Sequence, residues 1–91
     1  GISTSDAFSL FKHFNPGQTL PARAARIEAG QFTQPSFEVA MARKDVRLMI
    51  EEAQRGGVEL FVMPAVAAMF DAAIARGEGA LDAASAARMP I

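Results

Sequence analysis

The chain has 91 residues, 51% of them hydrophobic, which is enough for one small core and too few for a nucleotide-binding domain plus a substrate domain. Nine basic residues interleave with ten acidic ones for a net charge of -1, so the electrostatic footprint of a nucleic-acid binder is absent. There is no cysteine, which excludes a disulfide framework and thiolate metal sites.

No apolar run approaches the ~20 residues needed to span a bilayer, and the N-terminus lacks the basic-then-apolar order of a signal peptide. A soluble, cytoplasmic chain without membrane or nucleic-acid partners is expected. The first residue is Gly1, and Ser3, Thr4, Ser5 and Asp6 supply helix-capping chemistry at once. The expectation is one helical domain, residues 1–91, belonging to a larger body.

In chain order, Ala7, Phe8, Phe11 and Phe14 follow helical spacing, which predicts a first helix from about Thr4 to Phe14, stopped by Asn15, Pro16 and Gly17. A second helix is expected from about Thr19 to Ala29, with Leu20, Ala24 and Ile27 inward, Arg23 and Arg26 pointing elsewhere, and Gly30 as its stop. Residues 31–36 carry Pro35 and polar side chains and read as a loop delivering Phe37 into the main helix.

That main helix runs to Gly56 and Gly57, where the glycine pair is expected to supply a left-handed cap. At ~100° per residue, Val39, Ala42, Val46, Met49, Ile50 and Ala53 form one apolar stripe, and Phe37, Met41, Lys44 and Leu48 form a second roughly opposite. A surface helix needs only one apolar stripe, so the second must bury against a helix, another domain or a ligand. Val58 and residues 60–62 then make an extended apolar link; with no second strand candidate it cannot build a sheet. A fourth helix, Pro64 to about Arg76, puts Val66, Met69, Phe70 and Ala73 on its core stripe, with Ala65, Ala68 and Ala72 allowing close approach. Gly77 and Gly79 end it, and Asp82 caps a last short helix through about Arg88. The fold class is therefore all-α, a compact bundle of about five helices without a sheet.

Lys44 is the sharpest candidate for a site. Its stem can lie along Met41 and Leu48 with the ammonium in water, which makes an ordinary surface pair with Asp45. Alternatively, an ammonium on an apolar face attracts a phosphate, a carboxylate or the polar edge of a cofactor, with Asp45 orienting it or capping another element. His13 has no second ligand at metal spacing, so no metal site is expected. Ser3, Ser9, Ser36 and Ser85 lack the glycine context of a hydrolase nucleophile. The string Gly77-Glu78-Gly79 follows a helix rather than a strand, so it reads as a turn and not as a dinucleotide loop. Arg43, Arg47 and Arg55, alternating with Glu51 and Glu52, read as a solvated face.

The order Phe37, Met41, Lys44-Asp45, Leu48, Ala53, Gly57, Pro64, Gly77-x-Gly79 and Asp82 resembles the C-terminal domain of the β-hydroxyacid dehydrogenases, which include 3-hydroxyisobutyrate dehydrogenase and tartronate semialdehyde reductase. The resemblance covers about Phe32 to Arg88, and the earlier helices by length and pattern only. It implies a helical domain like the C-terminal domain of 6-phosphogluconate dehydrogenase, preceded in the parent by a Rossmann domain and a long linking helix. It further implies an NAD or NADP cofactor and a small hydroxy-acid substrate. Lys44 and Phe37 would then be cofactor-binding residues. The catalytic lysine is expected upstream, with no catalytic residue in this chain, no cofactor held by the 91 residues alone and no turnover from them. A homo-oligomer, formed by dimerisation or by helix swapping, is expected to cover the exposed stripe. Two alternatives stand: a stand-alone helical protein-interaction module, and an imine reductase-like domain.

Overall fold

The computed structural model describes residues 1–87, and its elements run α1 (Thr4–Phe8), a 3₁₀ turn (Ser9–Lys12), a second (Pro16–Thr19), α2 (Leu20–Ala29), α3 (Val39–Arg55), α4 (Met63–Ala75) and a third 3₁₀ turn (Ala83–Ala87). No strand forms among the described residues; one antiparallel bridge joins Glu38 to Asp82. The fold is all-α, as the periodicity implies. The main helix begins at Val39 rather than Phe37, and the predicted first helix tightens into 3₁₀ geometry after Phe8. The predicted end of the last helix, near Arg88, lies outside the described residues.

Helix ends follow local chemistry. Ser3 Oγ accepts from the Asp6 N–H at 3.1 Å to cap α1, a contact worth about 1 kcal/mol. Asn15 Oδ1 accepts from the Gly17 N–H at 2.9 Å and opens the next turn. At the end of α3 only Gly57, not the glycine pair, takes the left-handed conformation, with φ of 73°. The Val58 N–H then reaches back to the Ala53 carbonyl at 2.8 Å. Gly77, with φ of 84°, does the same for α4, letting the Glu78 N–H reach the Ala73 carbonyl at 3.0 Å.

The core lies between α3 and α4. Val39, Ala42 and Val46 pack against Ala67, Phe70 and Ala73, with Ala86 of the last turn closing one end and Ile50, Met63, Val66 and Ala83 at the edge. Each large side chain fully removed from water contributes about 1.5–3 kcal/mol. On α3 the inward stripe matches the predicted one except at Met49, which is 53% exposed. On α4 the buried line runs through Ala67, Phe70 and Ala73, so Met69, Ala65, Ala68 and Ala72 face outward instead of inward. Nearly every residue of α4 is apolar, so periodicity offers no contrast from which to choose the face.

A second correction concerns Arg43, which leaves the solvated face to grip Asp71 of α4 through two contacts, Nε to Oδ1 at 2.8 Å and Nη2 to Oδ2 at 3.5 Å. Arg47 and Glu51 pair at 2.9 Å, Arg55 and Glu52 at 2.8 Å, all exposed and each worth at most about 1 kcal/mol.

The N-terminal third is laid outside this core. Residues 1–25 contribute no buried side chain, and the radius of gyration is 15.3 Å, against about 12 Å for a compact domain of this length. Phe8, Phe11 and Phe14 stack on one another with ring centroids 5.6 and 5.7 Å apart and otherwise remain exposed. Leu20, Ala24 and Ile27 are exposed as well, which corrects their predicted inward role. What turns toward the body from α2 is Arg23 and Arg26, the pair expected to point elsewhere.

Ser85 is fully buried, and its Oγ has no hydrogen-bond partner among the described residues. An unmet buried hydroxyl costs about 1–3 kcal/mol. Replacing it with alanine should therefore raise the urea midpoint, by the equivalent of about 1 kcal/mol. A midpoint lowered by Ser85→Ala would show that the hydroxyl does find a partner.

Candidate functional site

Met41, Lys44 and Leu48 share one partly exposed face of α3, and Phe37, two residues before the helix, is partly exposed as well. Phe37 is 41% exposed, Met41 45% and Leu48 47%, while the opposite stripe of the same helix holds the core. The Lys44 ammonium lies 3.3 Å from Asp45 Oδ1, and both side chains are roughly half exposed. Lys44 thus stands between Met41 and Leu48 on a face that the described chain covers only in part. A cleft of about 590 Å³ lies elsewhere, beside Arg26, Gly30, Gln31, Thr33 and Gln34, and its lining does not include Lys44 or Phe37.

The N-terminus of this helix is held in an unusual way. Glu38, at the N-cap position, makes no side-chain cap. Instead the Val39 N–H donates to the Leu81 carbonyl and the Ala40 N–H to the Gly79 carbonyl, both at 2.9 Å, so the turn after α4 satisfies groups that a helix start leaves open. The Phe37 carbonyl accepts from the Ala83 N–H at 2.7 Å.

Behind these contacts sits Asp82, whose side chain is wholly buried. Its Oδ1 accepts from the Ser36 N–H at 3.0 Å and the Ser36 Oγ at 3.2 Å, and its Oδ2 from the Ala84 N–H at 3.0 Å. Arg26 Nη2 lies 3.5 Å from Oδ1 and Arg23 Nη1 4.0 Å from Oδ2. Arg26 also donates to the Gln34 carbonyl at 2.9 Å, and the Asp82 N–H donates to the carbonyl of buried Phe32 at 2.9 Å. Burial pushes the Asp82 carboxyl up. The Ala84 and Ser36 amides, the Ser36 hydroxyl and the Arg26 charge outweigh that push and hold it below its usual range.

Asp82 therefore does cap the last turn, as its position before Ala83 implies, but it also ties α2, the 31–36 loop and the start of α3 together. Arg26, Ser36 and Phe32 are the members that sequence reasoning missed. Arg23 and Arg26, three apart on one face of α2, and a lone phenylalanine in a polar loop were the available signals. No group of three or more metal-ligating side chains occurs among the described residues. No helix among them is long and apolar enough to cross a membrane.

Residues 16–90 match the family described as the NAD-binding region of NADP-dependent 3-hydroxyisobutyrate dehydrogenase. The chain belongs to this family. The match spans α2, the clamp around Asp82 and the whole of α3 and α4, and leaves out the aromatic arm of residues 8–14. A search of curated proteins found no match. The family is that of an NAD-binding region of a nicotinamide-dependent dehydrogenase, where the resemblance had implied a C-terminal domain.

The Asp82 network makes a pH prediction. A carboxylate held below its ordinary value of about 3.9 contributes stability that is present above that value and is lost as pH falls through the lower, folded value. The urea midpoint should be flat from about pH 7 to pH 5 and fall below about pH 4. Asp82→Asn should cost about 1–3 kcal/mol at pH 7 and flatten the acid limb. An acid limb identical in the variant would show that other carboxylates carry it.

Proposed function

We propose that this chain is the C-terminal, cofactor-facing domain of an NAD(P)-dependent β-hydroxyacid dehydrogenase of the cytoplasm, acting on a small hydroxy acid. The observation that carries the reading is the exposed apolar face of α3 with Lys44 at its centre, in a chain of an NAD-binding family. The donor set suits one end of the cofactor. An ammonium among Phe37, Met41 and Leu48 offers a charge-assisted donor beside apolar surface, which matches a planar carboxamide-bearing ring and its ribose. No strand-to-helix glycine loop exists among the described residues to cradle a pyrophosphate. The rest of the cofactor is assigned to the Rossmann domain that the family resemblance implies for the parent.

When bound, the nicotinamide supplies the hydride-transfer chemistry. This chain's share is to bind and orient. Lys44, with Asp45 3.3 Å from its ammonium, would hold a polar group of the cofactor by hydrogen bonding, and Phe37 and Leu48 would offer it apolar surface. No proton or nucleophile for the reaction comes from these residues, so the 91-residue chain alone is expected to be inactive. An imine reductase-like parent would use the same face with a different upstream acid.

In the full-length protein, Lys44→Met should raise KM for NADPH by about ten- to a hundredfold, the cost of losing one charged hydrogen bond. Unchanged KM values for both NADPH and NADH would overturn the cofactor role.

The exposed aromatic arm supports a second reading, a helical interaction surface. Phe8, Phe11 and Phe14 leave water only if something covers them. The isolated chain should then sediment as a dimer at high concentration, and Phe11→Ser should shift it to monomer. A wild-type chain that stays monomeric throughout would count against self-association.

A further inference from the structure

Phe37 presents a puzzle of energetics. The residue is 41% exposed, so a large part of its apolar surface stays in water. Yet the backbone on both sides of it is pinned. Ser36 is held through its N–H and hydroxyl by Asp82, the Phe37 carbonyl by the Ala83 N–H at 2.7 Å, and Val39 and Ala40 by the Leu81 and Gly79 carbonyls. The Phe37–Ala83 and Val39–Leu81 bonds together form the antiparallel bridge that sets Glu38 opposite Asp82. Asp82 is wholly buried, and two arginines of α2 accompany it. Burying a carboxylate is expensive, and replacing such a charge network with packed apolar groups is often neutral or better for stability. A network that is costly to bury and that anchors an exposed ring is explained by position.

We infer that Asp82 is a positioning residue for the cofactor face: acting through Ser36, it sets where Phe37 stands and the register in which α3 presents Lys44. The inference rests on the cofactor-facing reading of that stripe. The polar partners of the Asp82 carboxylate are Ser36, Ala84, Arg23 and Arg26, so its effect on Phe37 and Lys44 travels through the backbone of residues 36–40. The clamp adjoins one end of the α3–α4 core, at Val39, Ala83 and Ala86, while Val46, Ile50 and Ala67 belong to the same cluster further along α3 and α4. Local release with a retained helix is therefore physically available, and it distinguishes positioning from general support.

The test compares wild type, Asp82→Asn, Ser36→Ala and Lys44→Met in the full-length protein. Amide hydrogen exchange is read at residues 36–40 and at 46–50, and steady-state kinetics are run with NADPH as the varied probe. Asp82→Asn should speed exchange at residues 36–40 by at least about tenfold and leave 46–50 within about twofold. It should raise KM for NADPH by about tenfold with a much smaller change in kcat, and Ser36→Ala should give a weaker version of the same pattern. Equal deprotection along all of α3, with KM unchanged, would reduce Asp82 to a general stabiliser and overturn the proposal. Local deprotection with unchanged KM, in an enzyme where Lys44→Met does raise KM, would overturn the proposal and leave the cofactor reading standing. If Lys44→Met leaves KM unchanged, the cofactor reading itself falls and the proposal falls with it.

Discussion

The arrangement of this chain depends on one buried carboxylate. Asp82 follows the turn that ends α4, and from there it accepts hydrogen bonds from the loop before α3 and from its own 3₁₀ turn, with α2 arginines alongside. A carboxylate in that position is tolerable only because its lone pairs are met several times over. The same contacts bring α2 against the end of the chain, close the 31–36 loop over Phe32 and line up the Gly79 and Leu81 carbonyls with the start of α3. Segments distant in sequence are thus fixed by polar geometry, while the apolar core between α3 and α4 supplies most of the binding energy.

This division of labour bears on the candidate site. α3 faces two ways: toward α4 through Val39, Ala42 and Val46, and toward open surroundings through Met41, Lys44 and Leu48, with Phe37 just before its start. The core side gives the helix a rigid platform, since close-packed interiors transmit position with little slack. The outer side then presents one ammonium at a defined place on an apolar field. That is the kind of surface on which an amphipathic ligand edge or a partner domain can dock. Membership in an NAD-binding family gives this surface its most direct reading, and the aromatic arm of residues 8–14, outside the matched region, carries a separate one.

Much of the fold was legible from residue order. Helix stops at Gly30, Gly57 and Gly77 and the inward stripe of α3 were readable because glycine conformations and a strong apolar contrast are local signals. So was the double-faced character of α3, and with it Lys44 as a candidate. The failures also have local causes. On α4 the apolar residues surround the helix, so no stripe stands out: Phe70 and Ala73 are buried and Val66 lies at the core's edge as predicted, but Ala67 is buried where Met69 was expected. On α2 the hydrophobic rule chose Leu20, Ala24 and Ile27, but the tertiary partner waiting there was an anion, and Arg23 and Arg26 turned toward it.

The residues by themselves determined an all-α chain, its breaks, the two-sided α3 and the resemblance to a nicotinamide-dependent dehydrogenase domain, because helical period, capping and short motifs are written within a few residues of one another. Only the tertiary structure decided that Asp82 would be more than a cap, that Ser36 and Arg26 would be its partners and that the start of α3 would be capped by carbonyls of a distant turn. The Ser36–Asp82 contact spans 46 positions. Hydrogen bonds between groups so far apart leave no periodicity in the sequence, and which donor meets a buried acceptor is settled only when packing brings them within 3 Å or so.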